Sequence, residues 1–165
     1  PNGDTKTYNK KHVFRMANEH NHFTPGNERV IVEYKGIRFC PQICYDLRFP
    51  IWSRNSNGQS KLPIYDCLIY VANWPKVRSD AWTSLLKARA IENQAFVIGV
   101  NRVGLDGNGM EYSGDSRCYS PKGERLDKVI SSKEMINIVT INLDNLSEFR
   151  EKFPVSDDGD LFTIA

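Results

Sequence analysis

The chain has 165 residues, 40% hydrophobic and 25% charged, a balance that supports one ordinary domain with a real core and excludes a disordered tail or a membrane span. With 22 basic against 20 acidic residues, a net charge of +2 and no basic run longer than Lys10-Lys11, it lacks the electrostatic footprint of a nucleic-acid binder, so a small-molecule partner is expected. Cysteines 40, 44, 67 and 118 have neither the paired spacing of a zinc ribbon nor the density of a secreted disulfide module, which fits a reducing cytoplasm.

In chain order, residues 1–27 read as an irregular, polar, Asn- and His-rich connection that enters the fold in mid-course. The chain opens Pro1-Asn2-Gly3-Asp4 without an initiator Met, and no leader or lipidation motif is seen, so it is read as truncated. Residues 29–34 and 37–43 alternate or run apolar around Lys35-Gly36 and predict a hairpin whose second strand delivers Cys44. A short helix follows at 47–55, a loop at 57–60 and a continuous apolar strand of the buried type at 66–72. Ser79 or Asp80 is the expected cap of a helix to about Asn93, with Ala81, Leu85 and Ala88 on one stripe and Trp82 and Leu86 beside it. Further strands are predicted at 95–101, 116–119, 125–130 and 135–143, separated by Gly-rich turns. The pattern is α/β, with helices covering a sheet.

Cys44 closes an apolar strand and precedes a polar, turn-like stretch. A strand-to-helix turn exposes a sulfur at a sheet edge, where the first amides favour thiolate and can hold an oxyanion. A buried core cysteine is the alternative reading. Arg48 follows four residues later, so a helical turn would bring its guanidinium over the thiol face, to grip a substrate carboxylate or to pair with Asp46. Asp46 reads as an acceptor for backbone amides of the turn rather than a catalytic acid. Trp74, just beyond the buried strand, is either a pocket wall or core packing. Arg89 and Glu92 are spaced for an ion pair on one helix. His12, His20 and His22 raise a metal site or a Cys–His pair as minor readings; the former lacks a carboxylate or second cysteine at ligand spacing, and the latter needs a histidine oriented by Asn or Asp.

Tyr8-Asn9-Lys10-Lys11-His12, Glu19 with Gly26, Ile43-Cys44-Tyr45-Asp46-Leu47-Arg48-Phe49-Pro50 and Ala72-Asn73-Trp74-Pro75 resemble blocks of the nitrilase (carbon–nitrogen hydrolase) superfamily. Arg89 to Gln94, Asn101-Arg102-Val103-Gly104, Gly114-Asp115-Ser116, Pro121-Lys122-Gly123 and Phe149 to Pro154 follow in that superfamily's order, and the Trp-Pro and Asn-Arg-Val-Gly blocks look most like its omega-amidase branch. The resemblance implies an α-β-β-α sandwich, of which residues 1–165 would be one domain and a C-terminal portion lacking its N-terminal part. It implies hydrolysis of the terminal amide of a small carboxylic acid such as 2-oxoglutaramate or 2-oxosuccinamate through a Cys44 thioester, with Lys10 and the Tyr45 amide at the oxyanion and Glu19 holding the lysine. Arg48 and Trp74 are the substrate-binding candidates. The superfamily's general-base glutamate lies upstream of the Lys-x-His block, so these residues alone are expected to be inactive. No metal or organic cofactor is implied. A homodimer is expected, with residues 45–56, including Trp52, and the segment from Leu146 as its surfaces. A relative acting on another amide, a nitrile or a carbamoyl compound, and a non-catalytic assembly partner, remain alternatives.

Overall fold

The computed structural model describes residues 3–56 and 58–164. Asn57, the first residue of the loop expected at 57–60, lies outside them. Residues before the first strand are irregular apart from two 3-10 turns, Arg15–Ala17 and Glu19–Asn21.

Strands β1 (Val32–Tyr34) and β2 (Ile37–Ile43) form the expected antiparallel hairpin, with Tyr34 opposite Ile37. The linking residues Lys35 and Gly36 both have positive φ, 49° and 77°, the combination whose twist matches that of the flanking strands. β3 (Cys67–Ala72) and β4 (Phe96–Asn101) join β2 in parallel, and β7 (Arg117–Tyr119) closes the sheet antiparallel to β4, in the order β1-β2-β3-β4-β7. β5 (Val103–Leu105) and β6 (Glu111–Ser113) pair as a separate ribbon. The parallel strands therefore end together at Ile43, Ala72 and Asn101, the edge where open α/β sheets place their ligands.

Alternation along the strands sorts the core into two faces. Cys40, Leu68, Tyr70 and Val97 point to helix α2 (Ser79–Glu92) and meet Trp82, Leu86 and Ala90. Phe39, Cys67, Ile69, Phe96 and Ile98 point the other way, toward Leu143 and Leu146 of α3 (Leu143–Lys152). Gly99 lets α2 lie close, since a Cβ there would stand 2.8 Å from Trp82 Cζ2. The Arg89–Glu92 ion pair forms at 2.9 Å, and Arg89 also donates to the Leu47 carbonyl at 2.7 Å, tying α2 to the turn after Cys44.

Several expectations are corrected. Helix α2 has no side-chain cap: its N-cap is Arg78, and Ser79 and Asp80 lie within the first turn. Its buried stripe is Trp82, Leu86, Arg89 and Ala90, while Ala81, Leu85 and Ala88 flank it half-buried. The helix expected at 47–55 is a 3-10 turn, Cys44–Arg48, followed by the short α1 (Pro50–Ser53), because Pro50 lacks the N–H to continue the first. Residues 125–130 and 135–143 are not strands. Ile136 and Ile138 do alternate, but they are about nine-tenths exposed, at 91% and 90%, with no neighbouring strand to cover them. Within the two segments expected as dimer surfaces, Trp52 and Leu146 are themselves buried within the chain, at 5% and 2% exposure. The α/β class is as expected: the described residues supply one five-stranded sheet with helices on its faces, and a second large sheet is not among them. No helix among them is long and apolar enough to cross a membrane.

Candidate active site

Cys44 is the first residue after β2 and adopts φ 45°, a left-handed conformation that a side-chain-bearing residue enters only under tertiary constraint. The chain thereby turns sharply into the 3-10 turn, and the amides at its start, that of Tyr45 among them, have no acceptor within the turn. The Cys44 thiol lies 3.9 Å from the Asn73 carbonyl at the end of β3. Burial pushes it above the ordinary thiol value; Lys10 and the Asn73 contact pull it down, and Glu19 and Asp46 push it up again. Whatever the turn's amides contribute toward thiolate, desolvation outweighs the favourable groups.

Lys10 and Glu19 meet directly, Nζ to Oε2 at 2.6 Å, and the same oxygen accepts the Phe14 amide at 2.7 Å. The Lys10 carbonyl is held by the Gly26 amide at 2.8 Å. Gly26 is required here, because a Cβ would collide with Asn9. Asp46 is fully buried and accepts four donors: Tyr8 Oη at 2.7 Å, the His12 amide at 2.9 Å, His12 Nδ1 at 2.8 Å and the Ile43 amide at 3.1 Å. Its place as an acceptor in the turn, and not a free acid, is plain. His12 stacks on Phe49 with centroids 3.7 Å apart and does not line the cavity that Cys44 opens into.

That cavity, about 900 Å³, brings together Cys44, Lys10, Glu19, Tyr45, Arg48 and Trp74. The Arg48 guanidinium lies 4.8 Å over the Trp74 ring and not on Asp46, whose two oxygens are both occupied. Trp74 serves both roles left open for it. It walls the cavity, yet is only 4% exposed, packs 5.5 Å from Trp82 and donates from Nε1 to the Arg78 carbonyl. Asn101 at the end of β4 fixes its backbone, accepting the Trp74 amide at 2.7 Å and donating to the Trp74 carbonyl at 3.0 Å.

Sequence reasoning missed Phe14, Arg78, Asp106 and Tyr112 on the same walls. The Asp106-Gly107-Asn108-Gly109 turn was legible. Its folding over the cysteine was not, since Asp106 reaches the rim only through the β5–β6 ribbon, accepting the Asn108 and Met110 amides at 2.9 Å each and Tyr112 Oη at 3.0 Å. A second cavity, about 840 Å³, lies against Ile98 and Val100 on the α3 side of the sheet and contains none of the predicted site residues.

The Carbon-nitrogen hydrolase family profile matches residues 1–151. The Escherichia coli (strain K12) protein "Omega-amidase YafV" is 51% identical over 164 residues, 99% of this chain and 62% of its own length. The Bacillus subtilis (strain 168) "2-oxoglutaramate amidase" is 38% identical over 153 residues, 93% of this chain and 57% of its own. Among solved structures, XC1258 from Xanthomonas campestris, a CN-hydrolase superfamily protein with an arsenic adduct in its active site, superposes with a TM-score of 0.88 at 45% identity, covering 96% of this chain and 60% of that one. The chain thus spans 57–62% of the length of these curated relatives. The reading of it as a C-terminal portion is corrected: the match runs through 99% of this chain, and a 62% share of the relative gives a length and not an end.

Proposed function

The chain belongs to the carbon–nitrogen hydrolase family, and on that premise we propose that the protein is an omega-amidase-like hydrolase, releasing ammonia from the terminal amide of a small 2-oxo acid such as 2-oxoglutaramate or 2-oxosuccinamate. The observation that carries the reading is the convergence of Cys44, Lys10, Glu19 and Arg48 on one cavity. Cys44 Sγ bonds to the amide carbon while the carbonyl π pair moves onto oxygen, and the Lys10 ammonium and Tyr45 N–H meet the developing charge. Collapse breaks the C–N bond, nitrogen takes up the proton that the thiol gave up on attack and leaves as ammonia, and a thioester remains. Water then adds to the thioester carbon and the C–S bond breaks; one of the water's protons returns to the departing sulfur and the other is released to solvent, leaving the carboxylate. Glu19 holds the lysine head in place, which its short bond to Nζ supports. Arg48, on the cavity wall with its guanidinium 4.8 Å over the Trp74 ring, receives the substrate carboxylate, and Trp74 lines the same wall.

The test, made on the whole protein that carries these residues, is ammonia release from 2-oxoglutaramate, with glutamine, asparagine and a nitrile as comparators and Cys44→Ala as control. Release restricted to the oxo-acid amide and lost in the control is the expected result. Release from the nitrile instead, or release surviving Cys44→Ala, overturns the reading.

A further inference from the structure

Lys10 stands midway between Tyr8 and His12, and both neighbours reach one carboxylate. Tyr8 Oη donates to Asp46 Oδ2, while the His12 amide and Nδ1 both meet Oδ1. Asp46 lies two residues beyond Cys44, and its Oδ2 also accepts the amide of Ile43, the residue just before the cysteine. One buried group is therefore bonded on both sides of the lysine and within the turn that carries the sulfur. Its partners are themselves fixed: His12 lies flat on Phe49, and Trp52 Nε1 donates to Tyr8 Oη at 2.9 Å. Asp46 does not line the Cys44 cavity; apart from its charge, which raises the thiol, it acts on the chemistry through the groups it holds.

We propose that Tyr8, His12 and Asp46 form a clamp that positions the Lys10 ammonium against the Cys44 sulfur, which makes these three positioning residues for the reaction. The proposal rests on the reading of Lys10 and Cys44 as the working pair. A lysine head on a flexible four-carbon stem is only as well placed as its backbone, and a misplacement of about 1 Å in a reacting constellation costs on the order of 100-fold in rate. Glu19 fixes the head; the clamp fixes the main chain from which it springs.

The deciding variants are Tyr8→Phe and His12→Phe. Each keeps an aromatic ring, removes one bond to Asp46 and leaves the Asp46 charge in place, whereas replacing Asp46 would also remove a charge that acts on the thiol. The charged and titratable groups facing that thiol are Lys10, Glu19, Asp46 and Tyr112, with Tyr45, Arg48, Arg78 and Asp106 on the cavity wall, and neither variant replaces any of them. The readout is the pH dependence of Cys44 alkylation by iodoacetamide, which needs no substrate and so stands apart from the identity of the amide. In each variant the thiol titration should move up by about 0.5 pH unit, a fraction of the roughly 1–3 units that a close opposite charge is worth. In a Lys10→Met background the same substitutions should move it no further. With 2-oxoglutaramate, kcat should fall about tenfold with little change in KM. An unchanged alkylation profile in a folded variant, or an equal shift with and without Lys10, overturns the clamp. His12→Phe keeps the backbone bond to Asp46, and it decides the matter should Tyr8→Phe not fold.

Discussion

Replacing Glu19 by Gln separates thiol reactivity from turnover in a way that few other changes would. The carboxylate's charge acts on Cys44 in two ways, both upward, which exceed the downward effect of its holding the Lys10 head in place. Its own charge raises the thiol, and its 2.6 Å bond to Lys10 compensates a cation that lowers it. Two unit charges about 6 Å apart interact by roughly 3 kcal/mol at an effective dielectric of about 20, and with Glu19 side-chain exposure at 29% we discount this to about 1 kcal/mol, or a little under one pH unit. The thiol of Glu19→Gln should therefore titrate lower by about 0.5–1 unit, raising the thiolate fraction at pH 7 by about three- to tenfold. Lower intrinsic nucleophilicity returns part of that, so alkylation by iodoacetamide should quicken about two- to fivefold. Amide hydrolysis should fall about 10–100-fold over the same change, since a lysine no longer held cannot serve the oxyanion as a preorganised donor. Stopped-flow alkylation across pH 6–10 and ammonia release on the same preparation measure both. Alkylation slowed in step with hydrolysis would refute the electrostatic argument, because it would mean that Glu19 supports the site by packing alone.

Arg48→Met, which keeps contact with Trp74, should cost about 10–100-fold in kcat/KM for an oxo-acid amide and little for a neutral amide of similar length; equal losses on both would remove Arg48 from carboxylate recognition. Asp66 accepts three bonds from Arg38 and one from Arg150, at 2.7–3.1 Å. Burial pushes its carboxyl up, but these bonds outweigh burial and hold it below the ordinary value. Its contribution to stability is therefore full above about pH 4, the unfolded value, and is lost as pH falls through the folded one. Asp66→Asn should cost about 2–3 kcal/mol at pH 7, discounted for an Arg38 side chain 37% exposed, and should flatten the acid limb in urea unfolding between pH 5 and 2; an unchanged limb would show that other carboxylates carry it. Gly99→Ala should lower stability by about 1–3 kcal/mol in thermal unfolding, since the new methyl meets Trp82 Cζ2 at 2.8 Å and Leu86 Cδ2 at 2.9 Å, and a neutral result would mean that α2 can lift from the sheet at no cost.

The fold was legible where periodicity and turn chemistry agreed. The 29–43 hairpin, the 66–72 and 95–101 strands and the helix ending near Asn93 all rest on patterns that need no knowledge of the rest of the chain. The strands expected at 125–130 and 135–143 failed for the converse reason. Ile136 and Ile138 alternate as a strand does, but a strand exists only where a neighbour supplies ladder bonds. Helix α3 did carry a local signal that was passed over: Asn142 caps it by accepting the Asn145 amide at 3.0 Å, and Leu143, Leu146 and Arg150 recur at helical spacing onto the sheet and Asp66.

At the site, the residue types and their neighbours were readable, but the balance among them was not. The turn after Cys44 supplied the expected amides, and Asp46 the expected acceptor, because both are set within a few residues of the cysteine. Lys10 and Glu19 look like solvated surface on their own terms, and only resemblance singled them out. What makes them a pair is the path of residues 8–26 back over the turn, fixed by Asp46 and Gly26. The ionisation of Cys44 illustrates the difference in kind. A local reading counts donors and finds a thiolate. The folded chain adds desolvation, which dominates, and then sets Lys10 and Glu19 against each other within one 2.6 Å contact. Reactivity is therefore held by a charge pair that no short sequence window contains, and its two halves must move the thiol in opposite senses: up on loss of Lys10, down on loss of Glu19.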